Sequence, residues 1–219
     1  AIAKYEIALI KKDSSLRESL ILMGEANESR PYFPPIVKEY VELLIEDNQI
    51  RKAKKLLQKT WSTSPHQLLF KGIKKISKIE KTDLSDTVNY IVKNNTNDYE
   101  SLILKTKASI ANSKWNEAKK TIKPLLNVKP NKTICILMSH IEMGITGNTQ
   151  KSNSWINRGN IGEPEKTWVC KHSGLTQENW SSINTNGFFD SLEWTWPKSD
   201  LDNNIKKIDK LIPKIVGTT

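Results

Sequence analysis

Five side chains in this sequence could ligate a metal or a haem iron: His66, His140, His172, Cys135 and Cys170. Two of them fall close together in the stretch WVCKHSGLTQENW (168–180), where Cys170 is followed by His172 and Gly174. A structural zinc needs four Cys or His ligands in a tetrahedron, usually from two paired knuckles. The mirror segment supplies Ile183, Asn184, Thr185 and Asn186 instead, so no metal site is expected. Haem needs only one or two axial ligands. Cys170 precedes Lys171 rather than the proline of a haem-regulatory thiolate, and Cys135 and His140 lie on different faces of one helix. His66 and Cys170 are therefore the first residues to test for haem, with no other cofactor implied. The plainer readings are a helix-start residue for His66, after Pro65, and a small buried thiol for Cys135. No paired carboxylates, nucleophile–base set or phosphate loop stands out, so no enzymatic activity is expected.

The elements that would position these residues begin with bulk properties. At 219 residues the chain can bury one sizeable core or form a solenoid with a small appended module. No run of 18 apolar residues is present. Two distant cysteines make no disulfide framework, which suits a reducing compartment. The net charge of +10 invites a nucleic-acid partner, but only four of the 34 basic residues are Arg, and phosphate and base recognition favour Arg. Nucleic-acid binding is not expected. A chain beginning at Ala1 is expected to be a piece of a longer one, with any anchoring segment upstream.

Internal repetition organises the rest. Prolines fall at Pro31, Pro65, Pro130 and Pro164, with Asp98 in the skipped place. Twelve residues before each mark stands a small side chain, Ser19, Ala53, Ala118 or Ser152, with Asp86 in the degenerate third repeat. Four residues later comes a larger one: Met23, Leu57, Tyr90, Ile122 or Ile156. This is the skeleton of the tetratricopeptide repeat. A small residue lets the second helix approach the first, a larger one fills the groove, and proline ends the helix. Apolar faces agree: Ile36, Val37, Tyr40, Leu43 and Leu44 against Ala53, Leu56 and Leu57, and Leu102, Ile103, Thr106 and Ile110 against Ala118, Ile122, Leu125 and Leu126. The fold class expected is all-α, a right-handed superhelical solenoid of about five helical hairpins over 1–164, the first whole or truncated.

Three stretches carry a family resemblance. KAKKLLQKTWSTSPHQLL (52–69) resembles the HemY family of proteobacteria through Leu57, Trp61, Pro65 and His66. The segment 101–148 is similar to the next HemY block through Trp115, Cys135, Leu137 and Met138. The tail, with Trp168, Cys170, Trp180 and Phe189 to Trp194, resembles the end of alphaproteobacterial members. The resemblance spans residues 15 to 196. It implies an inner-membrane protein with an N-terminal anchor absent from this chain, repeats on the cytoplasmic side, and association with haem and tetrapyrrole biosynthesis. A flavin-dependent protoporphyrinogen oxidase shares the family's name. It needs a Gly-x-Gly-x-x-Gly turn that the nine glycines here do not make.

Residues 165–197 read as a degenerate ribbon packed on the last repeat. The adaptor LapB, another membrane-anchored repeat protein, carries a rubredoxin-like module at the same place. With ligands missing, burial of Trp168, Trp180, Phe188, Phe189, Trp194 and Trp196 is expected to hold the tail, with strands near 166–170 and 188–196. Residues 198–219 read as a short amphipathic or flexible segment, with Ile205, Ile208, Leu211 and Ile212 on one side.

First helices of such repeats line a groove where partners dock. Lys71, Lys75 and Lys78 share one helix face, Lys38 and Lys107 occupy matching places, and Ile134, Leu137 and Ile141 offer an apolar floor. That groove suits an acidic peptide, a partner's C-terminus or a porphyrin with propionates; its plain alternative is lysine solvating a surface. The leading expectation is a non-catalytic scaffold holding other proteins, tetrapyrrole-pathway enzymes among them. The alternatives are a haem or porphyrin carrier and a LapB-like adaptor in envelope-lipid regulation.

Overall fold

The computed structural model describes residues 1–126 and 130–197, which divide into two compact units on either side of the junction between Glu163 and Pro164. The described residues of the first form ten α-helices: α1 (Ile2–Lys11), α2 (Leu16–Ser29), α3 (Pro34–Glu46), α4 (Ile50–Thr63), α5 (Phe70–Glu80), α6 (Leu84–Ile91), α7 (Tyr99–Ala111), α8 (Trp115–Ile122), α9 (Lys132–Thr146) and α10 (Thr149–Asn160). They pair in sequence as five hairpins. Each hairpin also packs on the next, through α2 on α3, α4 on α5 and α6, α6 on α7, and α8 on α9.

Local chemistry sets the helix ends. The side chains of Ser15, Asp83, Asp98, Asn131 and Asn148 each accept from a backbone N–H one turn in, satisfying donors the helix leaves open. Pro34 and Pro35 open α3, where a missing N–H costs nothing. The turns within the last four hairpins repeat one device. Asn48, Lys81, Ser113 and Gly147 all take left-handed φ, between 54° and 62°. After the first three, the next residue's N–H donates five residues back: Gln49 to Leu44, Thr82 to Ser77 and Lys114 to Ser109, at 2.7, 3.0 and 2.8 Å. That is a Schellman closure. It recurs every 32 or 33 residues, independently of the proline marks.

The wedge positions are buried as expected at Ser19, Met23, Ala53, Leu57, Ala118, Ile122 and Ser152. Ser19 Oγ donates to Ala8 O at 2.7 Å, and Ser152 meets Ser139 at 2.7 Å, so each small residue touches its partner helix. In the third hairpin the expected pair is off by one. Asp86 and Tyr90 face water, while Thr87 and Ile91 are buried. Thr87 stands 34 residues after Ala53, as Ala53 does after Ser19; the shortening falls beyond it, with α6 only 8 residues long. In the last hairpin Ile156 is also outward, and Trp155 packs on the core in its place. Around Ala118 and Ile122 that core gathers Ile103, Ile134, Leu137, Met138 and Ile141. Each buried Leu or Ile contributes about 1.5–3 kcal/mol.

The second unit is a three-stranded antiparallel sheet ordered β2-β1-β3: β1 (Thr167–Cys170), β2 (Thr176–Gln177) and β3 (Leu192–Thr195). Trp168 pairs with Trp194 across β1 and β3, rings 5.3 Å apart. The aromatic account of the tail needs correction. Trp168 is buried, but Phe188, Phe189 and Trp196 are 42%, 58% and 54% exposed, so they are not what closes this unit. The amphipathic segment read at 198–219 lies outside the described residues.

Candidate functional site

The open face of α5 lies between two neighbouring first helices. Its buried side is Gly72, Ile73, Ile76 and Ser77. At 100° per residue, Lys71 and Lys78 then point directly outward, with Lys75 on one flank and Lys74 and Phe70 on the other. The Lys75 flank meets α3, where Lys75 pairs with Glu42, a carboxylate that is itself 6% exposed. The Phe70 flank meets α7. The Lys107 ammonium lies 5.8 Å and the Lys74 ammonium 5.7 Å from the Phe70 ring centroid. Lys107 also donates to Gln67 Oε1 at 2.8 Å, and Gln67 Nε2 donates to Glu100 Oε2 at 2.7 Å.

The lysines read as a stripe therefore divide. Lys38 pairs with Glu39 at 2.8 Å, Lys75 with Glu42, and Lys107 is committed to Gln67. Lys71 and Lys78 make no ion pair among the described residues and carry the open charge. Lys74 and Phe70 belong to the same face and were missed. Choosing i, i+4, i+7 from Lys71 selected one flank, when i+3 selects the other.

The apolar floor is a correction. Ile134, Leu137 and Ile141 are 3%, 5% and 0% exposed and belong to the core, where they meet α8 residues Ala118 and Ile122. The face α9 turns outward is Ile136, His140 and Met143. Carrying the phase of earlier repeats into α9 rotates the helix by about a third of a turn.

The two haem candidates are both buried. His66 is 5% exposed; its Nδ1 accepts the Leu68 N–H at 3.0 Å, capping a 3-10 turn at Gln67–Leu69. Burial pushes its pKa down to about 4, so it is neutral near pH 7. Its companions in the 52–69 block are structural too. Trp61 is fully buried, and its Nε1 donates to Ser101 Oγ at 2.8 Å, tying α4 to α7; the Asn95 amide donates to Trp61 O at 2.8 Å. Cys135 lies against Gly159, where any side chain would come within 2.9 Å of its Cβ.

Cys170, 2% exposed, sits in a turn that wraps its sulfur. Its Sγ accepts from the Ser173 N–H at 3.5 Å and lies 3.8 Å from Ser191 Oγ; Gly174 N donates to Cys170 O at 2.8 Å. Ser173 foremost, then His172 and Ser191, stabilise the thiolate and bring its pKa down to about 7. The facing turn does the same around an amide. Asn184 Oδ1 accepts from the N–H groups of Asn186 and Phe188 at 2.9 and 3.0 Å, and its Nδ2 donates to Ser191 Oγ at 3.0 Å. Two loops that a metal would clamp are joined instead through Cys170, Ser191 and Asn184. His172 points elsewhere, its ring 4.9 Å from that of exposed Phe188. Among the described residues no group of three or more His, Cys, Asp or Glu side chains is placed to hold a metal. No described helix is long and apolar enough to cross a membrane.

No protein-family profile and no curated protein matches the chain. Among solved structures it is similar to one described as "MamA RS-1 ArsTM double mutant", at 10% identity over 73% of this chain and 92% of that one, with a TM-score of 0.40.

Proposed function

We propose that this chain is a non-catalytic interaction scaffold, whose helical hairpins hold a partner protein against the first helices of the array. One observation carries the reading. The face of α5 between α3 and α7 is left open, and its central lysines Lys71 and Lys78 have no counter-charge among the described residues. An unpartnered cationic face flanked by packed helices is suited to binding and has no chemistry of its own. The finer reading is a HemY-like scaffold on the cytoplasmic side of an inner membrane, serving tetrapyrrole biosynthesis. It rests on the residue resemblance at 52–69 and 101–148, since the signature residues Trp61 and His66 are occupied in packing and capping.

The test is affinity capture from native membranes with identification of what is retained. Recovery of tetrapyrrole-pathway enzymes supports the finer reading, and recovery of a protease or lipid-A enzyme replaces it with the LapB-like one. Retention of nothing beyond a charge-matched helical control overturns the scaffold. The carrier alternative has a separate readout, a Soret band on hemin titration that is lost in His66→Ala or Cys170→Ala. Burial of both residues favours no band.

A further inference from the structure

Charge is not spread over this protein. Between Arg51 and Lys81, which covers α4 and α5, ten basic residues face a single acidic one, Glu80; this stretch alone accounts for nine of the chain's ten units of net positive charge. It forms two rows on opposite helices of neighbouring hairpins. On α4, Arg51, Lys55 and Lys59 recur at i, i+4 and i+8, all exposed, with no exposed apolar residue on that helix. On α5, Lys71, Lys74 and Lys78 recur at i, i+3 and i+7, and here the row borders an aromatic ring, Phe70, that already holds two ammonium groups near its face.

We propose that the α5 row is the docking site for an acidic amphipathic helix of a partner protein, which sets an apolar side chain on Phe70 and its carboxylates on Lys71, Lys74 and Lys78. The inference rests on the scaffold reading above and names the partner's chemistry. Four arguments select this occupant. Lysines at i, i+3 and i+7 span about 10 Å of helix, the distance over which a second helix repeats a carboxylate face. The flanks are closed by Glu42 bound to Lys75 and by Gln67 bound to Lys107, so the open charges are confined to one strip. Lysine presents point charges rather than the planar fork that matches phosphate, which counts against nucleic acid and phosphopeptides. An anionic bilayer reached by a few lysines without inserted apolar side chains is held weakly; Phe70 is half-buried between its neighbours, and Ile79, the exposed apolar residue of α5, lies about 100° around the helix from the lysine row.

Two charge-reversal variants of equal net charge decide it: Lys71→Glu/Lys74→Glu/Lys78→Glu on α5 and Arg51→Glu/Lys55→Glu/Lys59→Glu on α4. The probe is a fluorescein-labelled helical peptide with glutamates at i, i+3 and i+7 beside a leucine, read by anisotropy. Its glutamine counterpart, single-stranded RNA and phosphatidylserine vesicles are tested in parallel. The α5 variant should weaken peptide binding by about tenfold or more, the α4 variant by about twofold or less, and added salt should weaken both the wild type and the α4 variant. Phe70→Ala, neutral in charge, should also weaken binding. Equal losses in the two triple variants would reduce the effect to net charge and overturn the site. So would undiminished binding of the glutamine peptide, or tighter binding of RNA or vesicles than of peptide. All six substituted side chains are solvent-exposed, and the Gln versions at the same positions provide a second pair if reversal disturbs folding. Should a captured native partner bind the α5 variant unchanged, this site fails while the scaffold reading stands.

Discussion

Acidification should destabilise the repeat unit through one residue. His66 has an ordinary pKa near 6.5 when exposed and about 4 in the folded protein, with burial as the cause. A depressed folded value means that the unfolded chain binds the proton more readily. The neutral side chain therefore contributes its full stability above pH 6.5, and that contribution is lost as pH falls from 6.5 toward 4. A gap of about 2.5 units at 1.36 kcal/mol each gives roughly 3 kcal/mol. For a chain of this size that is a fall of about 6–12 °C in Tm. Carboxylates also titrate in this range, so a control must isolate the histidine. In His66→Asn the side-chain oxygen can still accept the Leu68 N–H that Nδ1 accepts now, while nothing titrates. Thermal melts followed by far-UV circular dichroism from pH 7.5 to 4.5 should show wild type losing stability faster, with the two curves diverging below pH 6.5. Exposed His140 and His172 are present in both proteins and do not enter the difference. Parallel curves would refute the burial argument. They would also reopen His66 as an accessible ligand.

Two other perturbations test the repeat register and the metal-free turn pair. Thr87→Glu places an unpartnered carboxylate at a 3% exposed wedge and should cost roughly 3–5 kcal/mol, whereas Asp86→Ala next to it should stay within about 0.5 kcal/mol; the reverse order in urea melts would restore the register expected from the sequence. Asn184→Ala strips two backbone N–H groups and Ser191 of their partner and should destabilise the second unit by about 2–4 kcal/mol, visible as early loss of near-UV tryptophan signal and faster alkylation of Cys170, with the repeat helices unaffected. Equal alkylation rates in variant and wild type would mean that the amide does not hold the turns together.

The hairpins were readable because their determinants are local and periodic. A small residue at Ser19, Ala53, Ala118 and Ser152 fixes close helix approach wherever it stands, and proline ends a helix whatever its neighbours are. What failed was interpolation. The third hairpin had no small residue to mark it, and an even division placed Asp86 where Thr87 belongs. The shortening falls after Thr87, at the end of the same helix α6, so counting 34 residues on from Ala53 finds the wedge where counting back from Asp98 misses it.

The groove shows the same limit at a finer scale. Which lysines of the stripe are free depends on Glu42 of α3, which binds Lys75 of α5 from 33 positions away, and on Gln67, which binds Lys107 of α7 from 40 positions away. Spacing on one helix lays out the face, but it cannot tell that Lys75 is spent on α3 while Lys71 and Lys78 are left open. On α9 the phase itself was lost. Ile134, Leu137 and Ile141 are as apolar as Ile136 and Met143, so composition does not say which row turns inward until α8 is in place. The tail carries the sharpest case. Its missing ligands were legible, and large aromatic side chains were the natural substitute, since their buried area dominates small cores. Cys170, Ser191 and Asn184 instead close the turns by hydrogen bonds. Small polar residues in a loop look like solvent-facing filler until the backbone N–H groups they satisfy are in view. Asn184 and Ser191 are 6% and 1% exposed, so the bonds between them and to the turn N–H groups take the place of water that the closed turns exclude.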